Sequence, residues 1–513
     1  MIERRELPAW ATALLAVAAG LLIGAGQEPF GLWPATMIGL ALLTWLVAGM
    51  RKRAAFGYGY LAGIAMNALT ISWIAVLGIP IAIGLIAYTS LWMGLTGLLI
   101  SLLIRLPLWP AWVAAAWVSV EYVSGNWPFG GFAWTRLAFT LADSPLSGLL
   151  PYVGMAGVTL IMVWLSQLLL VRRWWRTAPV ILLAFVVSGC LLFVPPSQPE
   201  QHVTVAVVQP NVNRHEYGGP YYARAVTNNA LSSTVMAMAA ARTSGADVDF
   251  VLWPESSVDI DPLRDDESRD RVDAAAKLSG APVLVGAVTL PDEPPDARQT
   301  SALWWGPTSG STATYHKRNL VPFGEWIPFR DVLLPLIPML EMTGRQSVPG
   351  TTPGVLDAPV ARYPSLKVGT IVCFELAYDD TVYDTVRAGG NVIVSQSNEN
   401  TYANTFQIPQ QQAMNRIRAK ELGREILVGT LNSISGHVTA RGAFIEPTAE
   451  FEGAERVVTV PLRYRLTSAV TVGPLLSRIA LAATVGAVAF LVVQRFRARG
   501  KLAGTTSKEV LDA

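Results

Sequence analysis

Residues 367–375 read KVGTIVCFE, a run of small and β-branched residues that ends in a thiol and, two positions later, a carboxylate. The apolar run 366–372 is short, which predicts a buried β-strand. In sheets whose strands alternate with helices, ligands gather beyond the carboxyl ends of the strands. Cys373 is therefore a candidate reactive group, although a lone free cysteine is as often a small buried apolar residue.

The segments around this strand alternate in the same way. Short apolar runs at 203–209, 250–253, 282–288, 366–372, 391–395 and 426–431 predict strands, and longer runs at 221–242, 268–278 and 410–422 predict helices. Strands that alternate with helices predict an α/β layered domain.

Two other segments carry groups that suit a thiol at a sheet edge. Residues 252–256 read LWPES and place Glu255 directly after a predicted strand. Residues 315–325 read YHKRNLVPFGE and place Lys317 eight positions before Glu325. Taken singly, each segment indicates a surface turn or loop, because Glu and Lys are usually exposed.

Taken together, the three segments indicate nucleophilic catalysis. A thiol with a pKa of about 8.5 is mostly protonated at neutral pH and needs a base or a nearby cation. Glu255 suits the role of base, and the Lys317 ammonium suits stabilisation of the oxyanion that forms when a carbonyl is attacked. None of the four histidines stands in a thiol-protease setting, and no His/Cys/Asp cluster has the spacing of metal ligands, so we predict neither a metal site nor a cofactor.

The rest of the chain is unusually apolar. Its 513 residues are 52% hydrophobic and only 15% charged, and the mean hydropathy is +0.39, which predicts a membrane protein. The net charge of +2 is too small to indicate a nucleic-acid binder. Apolar runs predict about eight transmembrane helices, at 9–26, 32–49, 57–77, 80–104, 110–123, 150–171, 179–194 and 472–493.

The basic residues predict the orientation of these helices. Clusters of Lys and Arg before the first run and after the second, fourth, sixth and eighth would all face one side, which predicts cytoplasmic termini and an extracytoplasmic α/β domain. The predicted division is a transmembrane bundle of about seven helices at 1–196, a catalytic domain at 197–468, a transmembrane helix at 469–495 and a basic tail at 496–513. Two alternatives are weaker: the first run is long for a signal peptide, and the runs carry few ionisable groups for a transporter.

The order Glu255, Lys317, Cys373, with these local sequences, resembles the nitrilase superfamily. The surrounding helices narrow the resemblance to its membrane-bound branch, the apolipoprotein N-acyltransferase family, over residues 9–495. Residues 315–325 match the family pattern Tyr-x-Lys-x-x-Leu-Val-Pro-Phe-Gly-Glu at every fixed position. Supporting segments read WPE at 253–255, CFE at 373–375, GFAW at 131–134 and RAKELGR at 418–424.

The resemblance implies an αββα sandwich and the roles of the site residues. Cys373 is implied to be the acyl-accepting nucleophile, Glu255 the general base and Lys317 the oxyanion stabiliser. The resemblance also implies supporting roles for two carboxylates, Glu325 and Glu375.

The chain departs from the family pattern at three places. Phe374 stands where many relatives have Tyr, so a hydroxyl beside the nucleophile is absent. The lid tryptophan is missing, and Tyr217 is the nearest aromatic residue. Residues 398–400 read NEN in place of an Asn-Asp-x-Trp segment.

The resemblance also implies a reaction. A phospholipid would donate a fatty acyl chain to Cys373, and the N-terminal amine of a diacylglyceryl apolipoprotein would accept it, in a multi-pass protein of the bacterial inner membrane. We expect a monomer. A membrane-tethered carbon–nitrogen hydrolase with the same three residues is the alternative enzyme, and an inactive lipid-binding scaffold is the non-enzymatic alternative.

Overall fold

The computed structural model of the chain describes residues 7–199, 201–212 and 223–509. Its N-terminal part is helical, and the main helices there coincide with the predicted apolar runs. They are α1 Ala9–Gly24, α2 Trp33–Val47, α3 Lys52–Thr70, α4 Ile79–Leu103, α5 Trp109–Ser124, α6 Leu150–Leu168 and α7 Trp174–Leu191. The run at 57–77 is not one continuous helix, because α3 ends at Thr70 and a short 3-10 helix, Ser72–Leu77, follows.

Glycines allow α3 and α4 to approach closely. A Cβ atom on Gly59 would lie 2.8 Å from the carbonyl oxygen of Met93, and one on Gly63 would lie 2.7 Å from the Met93 Cβ. Small residues at such crossings bring helix backbones together and increase van der Waals contact. The tight α3–α4 pair therefore depends on the absence of side chains at these two positions.

Three helices of the described chain are long and apolar enough to cross a membrane, judged by length and composition. They are Ile79–Leu103, Pro145–Leu168 and Ala469–Arg497. Three shorter helices are also apolar: Ala9–Gly24, Trp33–Val47 and Trp175–Leu191. Eight membrane crossings therefore stay a prediction, although a helix is present at each predicted run.

The second part of the chain contains two six-stranded sheets. Their strands are β1 Gln201–Gln209, β2 Phe250–Leu252, β3 Val283–Thr289, β4 Gln299–Gly306, β5 Gly310–His316, β6 Val355–Asp357, β7 Lys367–Val372, β8 Val392–Ser397, β9 Ile426–Thr430, β10 Gly436–Val438, β11 Phe444–Ile445 and β12 Ala454–Leu462. The orders are β12-β1-β2-β3-β4-β5 and β11-β10-β9-β8-β7-β6. The central strands β1 to β3 and β7 to β9 are parallel, and antiparallel strands flank them in both sheets.

Helices cover the outer faces of the sheets. These are α8 Ala225–Ser244, α9 Asp266–Ser279, α11 Asp379–Arg387 and α12 Gln407–Leu422. The short helix α10 Arg330–Leu336 follows β5 and has no buried residue, and α13 Ala469–Glu509 follows the last strand. Apolar residues of β1 and β2, such as Val205 and Leu252, pack between the sheets against Val368 and Val394. With α8 and α9 over one sheet and α11 and α12 over the other, the layers form the expected αββα sandwich.

The α11–α12 layer also faces the N-terminal helices. Phe374, Tyr383 and Ile417 belong to the same buried apolar cluster as Trp134 and Met155 of the N-terminal part. A continuous apolar contact of this kind holds the two parts of the chain as one packed unit.

All six strands predicted from the sequence form, as do the three helices, with end points that shift by a few residues. The described part of α8 begins at Ala225, four residues after the predicted start. The sequence pattern missed the flanking strands β4, β5, β6 and β10 to β12. In β5, which reads GSTATYH, exposed and half-buried polar residues interrupt the apolar pattern.

Candidate active site

Cys373 is the first residue after β7 and begins a 3-10 turn, Cys373–Ala377. Its backbone has φ of 51°, in the left-handed region that non-glycine residues rarely adopt. Such strained positions concentrate at functional sites, where the surrounding structure holds them. The side chain is buried, with a relative exposure of 8%.

Lys317 lies at the centre of a buried cluster of charges. Its ammonium Nζ donates to Glu255 Oε1 at 3.2 Å and to Glu325 Oε1 at 3.0 Å. Its side chain is 2% exposed. Glu255, which follows β2, also accepts the backbone N–H of Asn398 through Oε2 at 2.7 Å. The two segments 252–256 and 315–325 therefore meet in one charge cluster.

Glu375 connects two segments of the site through hydrogen bonds. Its Oε2 accepts the N–H of Val372 at 2.8 Å, and its Oε1 accepts the Tyr315 hydroxyl at 2.7 Å and the N–H groups of Arg318 and Asn319 at 2.6 and 3.3 Å. One buried carboxylate thus joins the end of β7 to the segment that carries Lys317. Its role in this geometry is to fix two backbone segments relative to each other.

The electrostatic environment keeps the thiol protonated at rest. Burial raises the pKa of Cys373 well above its ordinary value; the charge of Glu255 adds to this effect and that of Lys317 opposes it. Burial also raises the pKa of Glu255, against the opposing charge of Lys317. A carboxylate with a raised pKa is a better match for a thiol proton than an ordinary one.

Lys317 is held in its charged form. Burial alone would lower its pKa, but the charges of Glu255 and Glu325 outweigh burial and raise the pKa well above its ordinary value. An ammonium fixed beside the thiol can stabilise negative charge on an attacked carbonyl oxygen without rearrangement.

Aromatic side chains surround Phe374, the residue after Cys373. The Phe374 ring stacks on Trp134, with centroids 5.9 Å apart and an interplanar angle of 16°, and contacts Phe132 and Tyr378. Phe132 and Trp134 belong to the GFAW segment at 131–134. The sequence pattern singled out this segment but did not predict its contact with Phe374. A tyrosine at this position would need a hydrogen-bond partner for its hydroxyl, whereas a phenylalanine packs in this apolar environment without one.

Sequence reasoning assigned no role to two polar residues near Cys373, Gln411 and Glu399. Gln411 of α12 lies with its Oε1 3.9 Å from the Cys373 Sγ. Glu399 is fully buried and accepts the Ser433 hydroxyl through Oε2, and its Oε1 has no hydrogen-bond partner in the described chain. Burial raises the pKa of Glu399 to about 8. The signal in the sequence was the NEN segment at 398–400, which departs from the family pattern and contains Glu399.

Tyr217 is outside the described residues. The apolar segment after Glu325 is only partly packed: Leu336 and Ile337 are 72% and 38% exposed, while Trp326 contacts Phe129 at a centroid distance of 6.2 Å. The segment therefore presents apolar surface beside the loop that contains Phe129.

Comparison with known proteins places this geometry in a family. The model of the apolipoprotein N-acyltransferase N-terminal domain matches residues 19–168, and that of carbon–nitrogen hydrolase matches residues 204–426. The apolipoprotein N-acyltransferase of Mycolicibacterium smegmatis is 30% identical over 94% of this chain and 85% of its own length. The chain belongs to the apolipoprotein N-acyltransferase family. The Photobacterium profundum member is 26% identical over 90% of this chain and 91% of its own.

Among solved structures, an amidase from Nesterenkonia sp. is similar to this chain at 17% identity and a TM-score of 0.36, over 52% of this chain and 94% of that one. Membership of the apolipoprotein N-acyltransferase family confirms the predicted resemblance and makes the chain an acyltransferase. The family supports lipoprotein N-acylation as the reaction and does not favour the carbon–nitrogen hydrolase alternative.

Proposed function

We propose that the chain transfers a fatty acyl chain from a membrane phospholipid to the free α-amino group of the N-terminal diacylglyceryl-cysteine of apolipoproteins, through a thioester on Cys373. The observation that carries the proposal is the buried thiol at the end of β7, which interacts electrostatically with Glu255 and Lys317 of the buried charge cluster. Thiol, base and fixed cation are what acyl transfer through a covalent intermediate requires.

In the first step, the Cys373 sulfur attacks an ester carbonyl of the phospholipid while Glu255 takes the thiol proton. The oxyanion is stabilised by the Lys317 ammonium and by backbone N–H groups at the turn. When the C–O bond breaks, the proton passes from Glu255 to the leaving alkoxide, and lysophospholipid departs. The raised pKa of Glu255 supports both halves of this transfer.

In the second step, the acceptor amine attacks the thioester carbonyl and the C–S bond breaks. Glu255 takes the amine proton and returns it to the thiolate, which regenerates the resting enzyme with an amide product. Covalent catalysis in two half-reactions predicts ping-pong kinetics. Glu325 shares the Lys317 ammonium with Glu255, which supports a role in holding that cation in place.

We further propose that all eight predicted helices cross the bacterial plasma membrane, with both termini cytoplasmic and the catalytic domain outside, in a monomer. Three long apolar helices and the basic clusters of the short loops support this topology. The apolar cluster shared by the helices and the α11–α12 layer supports a catalytic site held against the outer bilayer surface, where both lipid substrates reside.

The proposal is tested with the full chain in detergent micelles and a phospholipid labelled in its acyl chain. We expect a thioester adduct that an N-terminal diacylglyceryl-cysteine peptide discharges as the labelled amide. Cys373→Ser should abolish the labelled thioester, whereas Cys190→Ser, at the only other cysteine, should retain it.

Other outcomes would support the rival functions. Discharge by water at the same rate as by the peptide would make the chain a hydrolase. If wild type forms no adduct with any phospholipid, or if the Cys373→Ser chain still produces labelled amide, the mechanism proposed for Cys373 is wrong.

A further inference from the structure

A cavity of about 190 Å³ lies where α5, α13 and the loop between α5 and α6 meet the catalytic domain. Its lining comes from the C-terminal end of α5 and the first turns of α13, with the segments that follow Lys317 and Cys373. In the proposed topology, these helix ends lie at the outer face of the membrane. The cavity is therefore at the depth of lipid headgroups.

Three arginines from separate segments line this cavity: Arg136, Arg318 and Arg478. Arg136 binds Asp379 through Nη1 at 2.6 Å, but its Nε is buried and has no hydrogen-bond partner in the described chain. Arg318 pairs with Asp384 through Nη1 at 3.1 Å. Arg478 is exposed on α13 and forms no ion pair within 4.0 Å in the described residues. Guanidinium donors thus converge on one small space.

The lining also holds three carboxylates, and two of them already accept other donors. Asp379 Oδ1 is already shared by Arg136 and by Arg418, at 2.6 and 2.9 Å. Glu121 accepts the backbone N–H of Leu137 at 2.8 Å. Asp380 is exposed, so solvent screens its charge. A bound anion would supply acceptors for the arginine N–H groups that remain, and phosphate matches the planar guanidinium fork well.

Two segments of the cavity lining are neighbours in sequence of the proposed catalytic residues. Arg318 follows Lys317 directly, and Ala377 ends the turn that begins with Cys373. The lining is thus connected to Lys317 and Cys373 by at most four positions of the chain. We propose that this cavity binds the phosphodiester of the phospholipid acyl donor at the outer membrane surface. The inference rests on the proposed function, in which a phospholipid is that donor.

The test compares two acyl donors in mixed micelles: a phospholipid, and a diacylglycerol with the same acyl chains but no phosphate. The wild-type chain should prefer the phospholipid by kcat/KM for thioester formation. Arg478→Gln should reduce that preference by about threefold to tenfold, mainly through the KM of the phospholipid, because it removes a binding contact and leaves the chemistry intact. Arg478→Glu should reduce it further.

Arg495→Gln is the matched control, because it removes the same charge from the same helix about 25 Å further along its axis. It should leave the preference unchanged. Equal losses for both donors in Arg478→Gln, or an unchanged preference, would overturn the proposal while thioester formation on Cys373 continued to support the proposed function. Inorganic phosphate should compete with the phospholipid only weakly; if it binds as tightly as the lipid, the cavity is a free-phosphate site and the lipid assignment is wrong.

Discussion

At the scale of single residues, the protonation of Glu399 makes the stability of the folded chain depend on pH. Burial raises its pKa from 4.5 to about 8, so the folded chain keeps a proton there that the unfolded chain has lost. Stability contributed by this proton is fully present below about pH 4.5 and is lost as the pH rises to about 8. At about 1.4 kcal/mol per pKa unit, the free energy of unfolding should decline by a few kcal/mol over this range. We expect Glu399→Gln, which resembles the protonated form, to remove this decline.

The measurement is the unfolding midpoint in detergent from pH 5 to 9. Wild type and the control Glu341→Gln, at an exposed position, should both lose stability over this range, and Glu399→Gln should lose less. An equal decline in all three proteins would show that the Glu399 proton does not contribute.

At the scale of elements, α6 is broken at Gly154, where φ is 66° and ψ is −176°. Glu421 of α12 accepts the N–H of Met155 at 2.8 Å, which caps the second half of the helix. A Cβ atom on Gly154 would lie 2.8 Å from the Tyr383 hydroxyl and 3.2 Å from the Glu421 carboxylate. We expect Gly154→Ala to destabilise the protein by about 1–3 kcal/mol, through backbone strain and displacement of this contact.

Thermal unfolding of the full chain in detergent checks this expectation. Gly84→Ala on α4 is the control, because a Cβ atom there meets nothing within 4 Å. It should be neutral or slightly stabilising, since alanine favours helix. Similar midpoints for the two variants would mean that the break in α6 tolerates a side chain.

At the scale of the whole molecule, the Gln410 side chain joins α12 to the N-terminal part of the chain through hydrogen bonds. Its Oε1 accepts the indole N–H groups of Trp73 and Trp134 at 3.1 and 2.7 Å, and its Nε2 donates to the carbonyls of Glu28 and Thr70 at 3.0 and 2.9 Å. We expect Gln410→Met to cost about 2–4 kcal/mol, because several buried polar groups lose their partners at once. Thioester formation should also slow, since Trp134 stacks on Phe374, the residue next to Cys373.

Gln412→Met is the matched control two residues away. The Gln412 side chain donates to the Ile434 carbonyl within the catalytic domain. Unfolding midpoints and thioester rates measured side by side should show the larger loss in Gln410→Met. Equal losses would indicate that the contact with the N-terminal helices adds nothing to the stability of the catalytic domain.

The sequence by itself predicted the class of fold and a chemistry for the site. Strand and helix periods are local, so the central strands and the apolar helices were readable from it. Cys373 and Glu255 stood out because each follows a predicted strand, and Lys317 because its segment matches a fixed pattern. What a residue type can do chemically is also local, which is why thiol, base and cation could be assigned roles before their distances were known.

Only the tertiary structure decided which buried groups meet. Gln410 contacts Glu28 across 382 positions, and Glu421 caps α6 at Met155 across 266. No local pattern encodes such pairs, because the partner of a buried polar group is set by how distant elements pack. The same packing placed Lys317 between two carboxylates and gave Glu399 its raised pKa, since burial and neighbouring charge exist only once the chain has folded.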